Sequence, residues 1–349
     1  MFRYSVQRIF LALCTTAIIL TLTFFLVKIQ PFPKMVGTNE AQLVYYLHQA
    51  DLGYVRYSGE PHPEWGELLW AGGDRNGYYY FYQESLFRQF GAWVSGLFSG
   101  NWGTSIKIEP NVDAMKIIVG TSWDSSRLWT TVRINVWPVL ISVPSGLALG
   151  IWAALKKNKM TDHIISTLVM VFISVPSFII INLLLYVFSY RLGVLPSQWP
   201  SVSAPTQTRV LGYIIPTMAL SFGSICGYCR FTRAELTEVM SSDFLLLART
   251  KGLTKSQSIT RHALKNAMVP ILPSILSEII GLLGGSMILE SLYGIPGVGR
   301  LYIDAINNRD YNVLMADMAL YTVIGLLSGV FLDLSYGFID PRIRMGAKK

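Results

Sequence analysis

Apolar residues in this chain gather into six long runs, at about 9–27, 132–155, 164–190, 210–231, 269–292 and 313–338, with polar and charged segments between them. A helix rises about 1.5 Å per residue, so about 20 apolar residues cross about 30 Å of hydrocarbon. Each run is long enough. A helix also satisfies every backbone N–H and C=O within its own segment, which lipid demands. The pattern predicts an all-α membrane protein with six spans. Proline punctuates the interiors at Pro138, Pro144, Pro176, Pro216 and Pro273, where the missing donor bends or breaks a helix. Gly146 with Gly150, and Gly281 with Gly285, have the small-xxx-small spacing that lets helix backbones approach, here expected within one subunit.

The first run follows Arg3 and Arg8, is longer than a signal-peptide core and lacks a small-x-small cleavage site after it. It reads as a retained first span, with residues 1–28 as one segment. Residues 29–127 are rich in aromatics, including Tyr78, Tyr79 and Tyr80, and mix both charge signs. Disordered linkers lack such aromatics, so this segment is expected to fold as a cap on the outer face. Within it, residues 87–98 predict an amphipathic helix ended by Gly100. Residues 128–349 hold the other five spans.

Charge sets the orientation. Lys156, Lys157 and Lys159 fill one short loop; Arg230, Arg233, Arg249, Lys251, Lys255, Arg261 and Lys265 fill another; Arg342, Arg344, Lys348 and Lys349 lie in the tail. The alternate short loops carry only Arg191 and Arg209, then Arg300 and Arg309. Basic loops stay in the cytoplasm, so both termini are expected there. This distribution also accounts for the net charge of +8, and nucleic acid is not implied. Hydrophobic residues make up 52% of the chain and the mean hydropathy is +0.41. The three cysteines, Cys14, Cys226 and Cys229, fall in apolar runs, so neither a disulfide framework nor a metal site is expected. No phosphate-cradling G-x-x-x-x-G-K-[ST] loop occurs, and no His/Glu metal pair sits on a span. No catalytic residues are expected.

The loop at 232–268 is the informative one. Apolar positions at Leu236, Val239 and Met240, then Phe244, Leu247 and Ala248, predict one-sided helix. Gly252 stops it, with Lys251 near its negative end. Thr254 with Gln257 predicts a capping box that opens another helix. A basic helix–Gly–helix hairpin of this form suits a groove on a cytoplasmic protein or an anionic lipid surface.

The stretch from Ala248 through Gly252 and Leu253 to Arg261, His262, Ala263 and Asn266 closely resembles the cytoplasmic loop of binding-protein-dependent ATP-binding-cassette permeases. More narrowly it is similar to the dipeptide, oligopeptide and nickel branch, and to the B-type permease subunits of oligopeptide systems. Three further stretches carry the resemblance: Gly100-Asn-Trp-Gly103-Thr-Ser; Tyr293 to Arg300 with Asp304, Arg309, Asp310 and Tyr311; and Asp340-Pro341-Arg342-Ile-Arg344. The resemblance covers most of the chain from Phe87 to Arg344. It implies the type I importer permease fold in a bacterial cytoplasmic membrane, and a pathway for peptides driven by partner subunits, with nickel or a metal chelate as the alternative cargo. It also implies a second homologous permease, two ATPases that hold the ATP and Mg, and an extracytoplasmic solute-binding protein, with no cofactor in this chain.

The same resemblance assigns Asp243, Ala248, Lys251, Gly252, Arg261, His262, Ala263 and Asn266 to ATPase coupling. It assigns Gly294, Pro296, Gly297, Gly299 and Arg300 to an outer-loop motif. The chain departs from the family in its exit from the first span, where Ile29-Gln30-Pro31-Phe32-Pro33-Lys34 precedes an insertion to Tyr82. Leu246 and Leu247 replace two residues of the usual Glu-Ala-Ala, and Glu278 stands where Gln is expected. Glu278 is the main ionisable group deep in an apolar run. A lone buried carboxylate needs a cavity or a partner, so Glu278, with Gly284 and Gly285, is expected either on the translocation pathway or in a structural hydrogen bond. Asp317, near the outer end of the last span, could as easily reach water, and Asp333 lies near its inner end. A self-contained ion-coupled carrier would instead need several intramembrane charges and an internal repeat, and neither is visible.

Overall fold

The computed structural model describes residues 2–32, 35–75 and 77–339, so the motif beginning at Asp340 and the basic tail lie outside the described residues. The first apolar run becomes α1 (Phe2–Lys28). The first loop then supplies α2 (Asn39–Asp51), three strands, α3 (Leu86–Ser99) and α4 (Ala114–Val119). The second run becomes α5 (Arg127–Leu155). The third divides at Pro176 into α6 (Met160–Ile173) and α7 (Ser177–Leu184), the latter extended through Arg191 by wider π-type turns. The two halves are bent by 93°. Pro176 has φ −60° and ψ 144°, an extended conformation that ends one helix and opens the next. Short α8 (Thr206–Leu211) precedes α9 (Ile214–Met240); α10 (Asp243–Thr250) and α11 (Lys255–Ser258) form the hairpin; α12 (Leu264–Gly281), α13 (Met287–Tyr293), α14 (Val298–Asn308) and α15 (Tyr311–Ile339) complete the chain. Five helical stretches are long and apolar enough to cross a membrane, and six if the bent pair counts as one.

One expectation changes here. The fifth run, expected as one span over 269–292, ends early. The helix tightens at 282–284, Gly285 turns with φ +63°, and Ser286 opens α13 by accepting from the Leu289 amide. The chain is mostly helical, as expected, and its first loop adds a small sheet. Strands β1 (Val55–Ser58), β2 (Leu68–Asp74) and β3 (Gly77–Gln83) form an antiparallel sheet in the order β1-β3-β2. Val55 faces Gln83 across one ladder, and a bulge interrupts the other between Leu68 and Trp70. The Tyr-rich segment that suggested a folded cap is β3, where aromatic rings suit a pleated, half-buried surface.

By contacts the chain forms two compact units, one of residues 1–10, 128–300 and 324–349, the other of 11–127 and 301–323. In the first, Ile134, Ile180, Ile181, Leu184, Ile215 and Tyr293 belong to one buried cluster. Gly146 and Gly150 let α5 lie against α9: a Cβ on Gly146 would meet Tyr228 Cβ at 2.5 Å, and one on Gly150 the Cys229 carbonyl at 2.6 Å. Gly281 has nothing within 4 Å of its Cβ position, so only Gly285 of that pair allows a close approach, with Thr131 Cγ2 at 2.8 Å. Asp162, 1% exposed, receives both forks of Arg233, with Nη2 at 2.8 Å, and the Asn158 amide at 2.9 Å. This ties the start of α6 to the stem of the 232–268 loop.

In the second unit, Tyr46 of α2 stacks on Trp70 at 5.4 Å and lies against Phe81 at the same distance. Phe24 and Phe25 of α1 meet Trp93 and Phe90 of α3. Gly100 caps α3 in the left-handed region at φ +77°, where a side chain would be strained. Two of the sequence motifs meet here. Asp310 is fully buried, and its Oδ2 accepts from Ser105 Oγ at 2.6 Å and from the amides of Ile106, Lys107 and Ile108 at 3.0, 3.0 and 3.2 Å. Asn312 donates to the Thr104 carbonyl at 2.9 Å, and Gly103 leaves room for its side chain. The Gly103-Thr-Ser turn is therefore shaped around a carboxylate 205 residues away in sequence. Asp317, placed by sequence where it could reach water, is fully buried.

Candidate functional site

Three groupings carry the residues that the sequence motifs nominate. The first is the hairpin. Leu245 of α10 buries into a cluster with Ala154, Leu236, Ile259, Ala263 and Ala267. That fixes α10 by one edge and leaves Phe244, Leu246 and Leu247 exposed at 45%, 61% and 56%. Gly252 follows α10 with φ +92°, and its amide reaches the Arg249 carbonyl at 3.0 Å. Thr254 and Gln257 then make the reciprocal capping box, with Gln257 N to Thr254 Oγ1 at 3.3 Å and Thr254 N to Gln257 Oε1 at 3.1 Å. The helix widens to π geometry over Ile259–Ala263 before α12. Ala263 is buried, Ala248 half-buried, and Asp243, Lys251, Gly252, Arg261, His262 and Asn266 are exposed; Asn266 turns back onto the His262 carbonyl at 2.9 Å. Hence six of the eight nominated residues face outward around the turn.

The capping box gives a local prediction. Thr254→Ala removes one reciprocal bond and should cost about 1 kcal/mol of local stability. Amides at 255–259 should then exchange roughly fivefold faster in hydrogen–deuterium exchange on the full-length protein. Unchanged exchange there would mean the cap does not stabilise α11.

The second grouping is a clasp around Glu290, a residue that no sequence motif singles out. Its side chain is 2% exposed. Oε1 accepts from Thr131 Oγ1 at 2.9 Å and Oε2 from the Arg300 amide at 3.0 Å, while Thr131 Oγ1 accepts from the Val298 amide at 3.0 Å. Cβ atoms on Gly285 or Gly297 would run into the Glu290 carboxylate, and one on Gly299 would sit 2.8 Å from the Met287 amide. Gly294 caps α13 with φ +74°, and the Arg300 guanidinium donates to its carbonyl at 2.8 Å. Gly285, Gly294, Gly297, Gly299 and Arg300 thus belong to one clasp, whereas Pro296 is exposed. The available signal was an acid four residues before Gly294, in an otherwise apolar helix that leads into a Gly-rich loop.

The third grouping is a cavity of about 210 Å³ whose lining includes Asn135, Leu220, Ser224, Glu278, Gly285 and Ser286. Glu278 is half-buried, and Ser224 Oγ donates to it at 2.8 Å. Glu278 thus lines this cavity and accepts a hydrogen bond within it. Gly284 is outside the lining. Among the described residues of the last third of the chain, Glu290 and Asp317, rather than Glu278, are the most buried acids apart from Asp310. Among the described residues, no three His, Cys, Asp or Glu side chains come together as a metal-binding group.

Long apolar helices, a cavity that carries Ser224 and Glu278 on a largely apolar wall, and an amphipathic hairpin define a helical membrane permease. The chain belongs to the family of binding-protein-dependent transport system inner membrane components, which it matches over residues 146–345. It is 30% identical over 351 residues to the dipeptide transport system permease of Bacillus subtilis (strain 168), with all of both chains covered. It is 32% identical over 346 residues to the dipeptide transport system permease of Lactococcus lactis subsp. cremoris (strain MG1363), covering 99% of this chain and 100% of that one. Against the glutathione transport system permease of Escherichia coli (strain K12), identity is 33% over 262 residues, 75% of this chain and 80% of the relative. A solved amino acid ABC transporter aligns at 22% identity with a TM-score of 0.49, covering 65% of this chain and 98% of that chain.

Proposed function

We propose that this chain is the permease subunit of an ATP-driven importer of short peptides in a bacterial cytoplasmic membrane. It would form the pathway with a second homologous permease. Two ATPase subunits would bind and hydrolyse ATP with Mg, and a solute-binding protein would deliver the peptide to the segment 29–127 on the outer side. The observation that carries the reading is the hairpin of α10 and α11. Phe244, Leu246 and Leu247 stand exposed beside the basic residues Arg249, Lys251 and Lys255 at the tip of a loop whose own core is complete. Exposed leucines and a phenylalanine on one amphipathic helix suit insertion into an apolar groove of a partner. The relatives' names for dipeptides and glutathione support peptides as the cargo class. The positive-inside distribution supports cytoplasmic termini and a cytoplasmic hairpin.

In this reading Glu278 is the acid that meets a peptide's protonated amine as it crosses the 210 Å³ cavity. Gentle affinity purification of the full-length chain tests the proposal. Two ATPases and a second permease should co-purify, and peptide-loaded binding protein should stimulate ATP hydrolysis by that complex. A chain that purifies without an ATPase, yet accumulates peptide in proteoliposomes on a proton gradient alone, would overturn it.

A further inference from the structure

Lys28, the last residue of α1, does not reach water freely: it is 8% exposed, with Nζ 3.5 Å from the centre of the Tyr54 ring. The ring face attracts the ammonium but carries no net charge, and burying a cation without a counter-charge costs far more than a ring face returns. Beside it lies a small cavity of about 10 Å³, lined by Lys28, Gln30, Phe32, Gln49, Gln83, Ile106, Tyr311 and Asn312. None of these is acidic. Asp310, next in sequence to Tyr311, is not in the lining; its Oδ2 is engaged by Ser105 and three amides, while its buried Oδ1 has no hydrogen-bond partner. Gln49 adds a second observation. Its side chain is 2% exposed, and its Nε2 donor has no hydrogen-bond partner. Buried amide donors are nearly always satisfied. A cation lacking an acid and a donor lacking an acceptor therefore line the same small space.

We infer that this cavity binds a single monatomic anion, chloride in the protein's natural surroundings, held by Lys28 and Gln49. The cavity is small, about 10 Å³, which favours a monatomic anion over a carboxylate, phosphate or sulfate. Water would satisfy Gln49 but leave the charge of Lys28 uncompensated, whereas a halide answers both. Its walls come from the end of α1, from α2, from β3, from the turn at Ile106 and from the start of α15. A bound anion would fasten those five segments of the second unit together. This inference does not depend on the transport reading.

The test is hydrogen–deuterium exchange on the full-length protein in lipid nanodiscs, at constant ionic strength, with sodium gluconate replaced stepwise by chloride. Anion binding to the closed form slows local opening by a factor of 1 + [anion]/Kd, so a Kd of roughly 15 mM gives about tenfold slower exchange at roughly 150 mM chloride. The amides at 45–54 and 104–108 should show this slowing, with bromide acting like chloride and sulfate having no effect. Lys28→Met and Gln49→Leu should each remove the response. If Lys28→Met does not fold, Gln49→Leu and the wild-type halide series decide. Equal exchange in gluconate and chloride would leave a neutral lysine beside one water and overturn the inference. So would a chloride response that survives Lys28→Met or Gln49→Leu, or one spread evenly over the whole chain as a bulk salt effect.

Discussion

On the importer reading proposed above, Gly252→Val is expected to cut solute uptake by at least about tenfold while leaving the chain inserted in the membrane and paired with its partner permease. The reason is torsional rather than steric. Gly252 has φ +92°, and a Cβ placed there would meet nothing within 4 Å. A side chain thus has room, but the backbone angle resists it: a Cβ in this region costs about 1–2 kcal/mol, and a β-branched residue more. The loop can relieve that strain by rotating Gly252 back to negative φ. Doing so breaks the 3.0 Å bond to the Arg249 carbonyl and swings α10 relative to α11. The core of the hairpin, centred on Leu245, Ile259 and Ala263, should hold the roots in place. The exposed face at Phe244, Leu246 and Leu247 would then be misdirected, although no group with chemistry of its own is lost. A loss of roughly 1.4 kcal/mol or more in coupling corresponds to a tenfold or larger fall in transport. Uptake in proteoliposomes should drop by at least about tenfold, ATP hydrolysis should lose its response to loaded binding protein, and Gly252→Ala should be milder. Wild-type uptake and stimulated ATPase in a well-expressed Gly252→Val complex would remove this turn from the coupling path.

The hairpin was legible because its determinants are local. Helical spacing, a Gly at the stop and the Thr254–Gln257 box are each set within four residues, and each has its structural counterpart. The spans were legible for a similar reason, since hydropathy is a property of one segment and lipid forces it into a helix. Where the sequence misled, the cause lay in partners distant along the chain. The reading of Asp317 as able to reach water used only its position near the end of a run, whereas its burial depends on neighbours in space. Glu278 stands out as an acid in an apolar block, yet Glu290 sits in the same run without standing out. What distinguishes Glu290 is Thr131, 159 residues away, and the amide of Arg300. The sheet was hidden because β2, with its one Trp and paired glycines, and the Tyr-rich β3 show little alternation, and Tyr46 of α2, distant in sequence, packs on Trp70 and Phe81. The Gly-rich motifs were recognisable as patterns. Their physical reason, that a Cβ would enter the space of a buried carboxylate or its loop, is visible only in three dimensions.

Glu290→Ala is expected to unfold the clasp, and a comparison with Glu290→Gln separates geometry from charge. Removing the carboxylate strands the Arg300 amide and the Thr131 hydroxyl in a buried site and leaves a void beside Gly285 and Gly297. Each stranded donor costs about 1–3 kcal/mol, and the lost side-chain volume adds to that. The expected loss is roughly 3–5 kcal/mol. At about 2–4 °C per kcal/mol for a unit of this size, the melting temperature of the purified chain should fall by roughly 10 °C. Glutamine behaves differently. Its carbonyl oxygen can face the Arg300 amide in place of Oε2, and its NH₂ can donate to Thr131 Oγ1 if that hydroxyl turns its own hydrogen away. Thr131 would still receive the Val298 amide on its second lone pair. Glu290→Gln should therefore lie within about 1–2 kcal/mol of the wild type. Gly297→Ala provides an independent check, because its Cβ would run into both the Glu290 carboxylate and the Thr131 hydroxyl, side-chain ends that cannot move aside without breaking the clasp's hydrogen bonds. It should destabilise the protein nearly as much as Glu290→Ala, and the double variant should fall well short of additive, since both changes dismantle one network. If Glu290→Gln melts as low as Glu290→Ala, the negative charge rather than the hydrogen-bond geometry holds the loop, and the clasp as described is wrong.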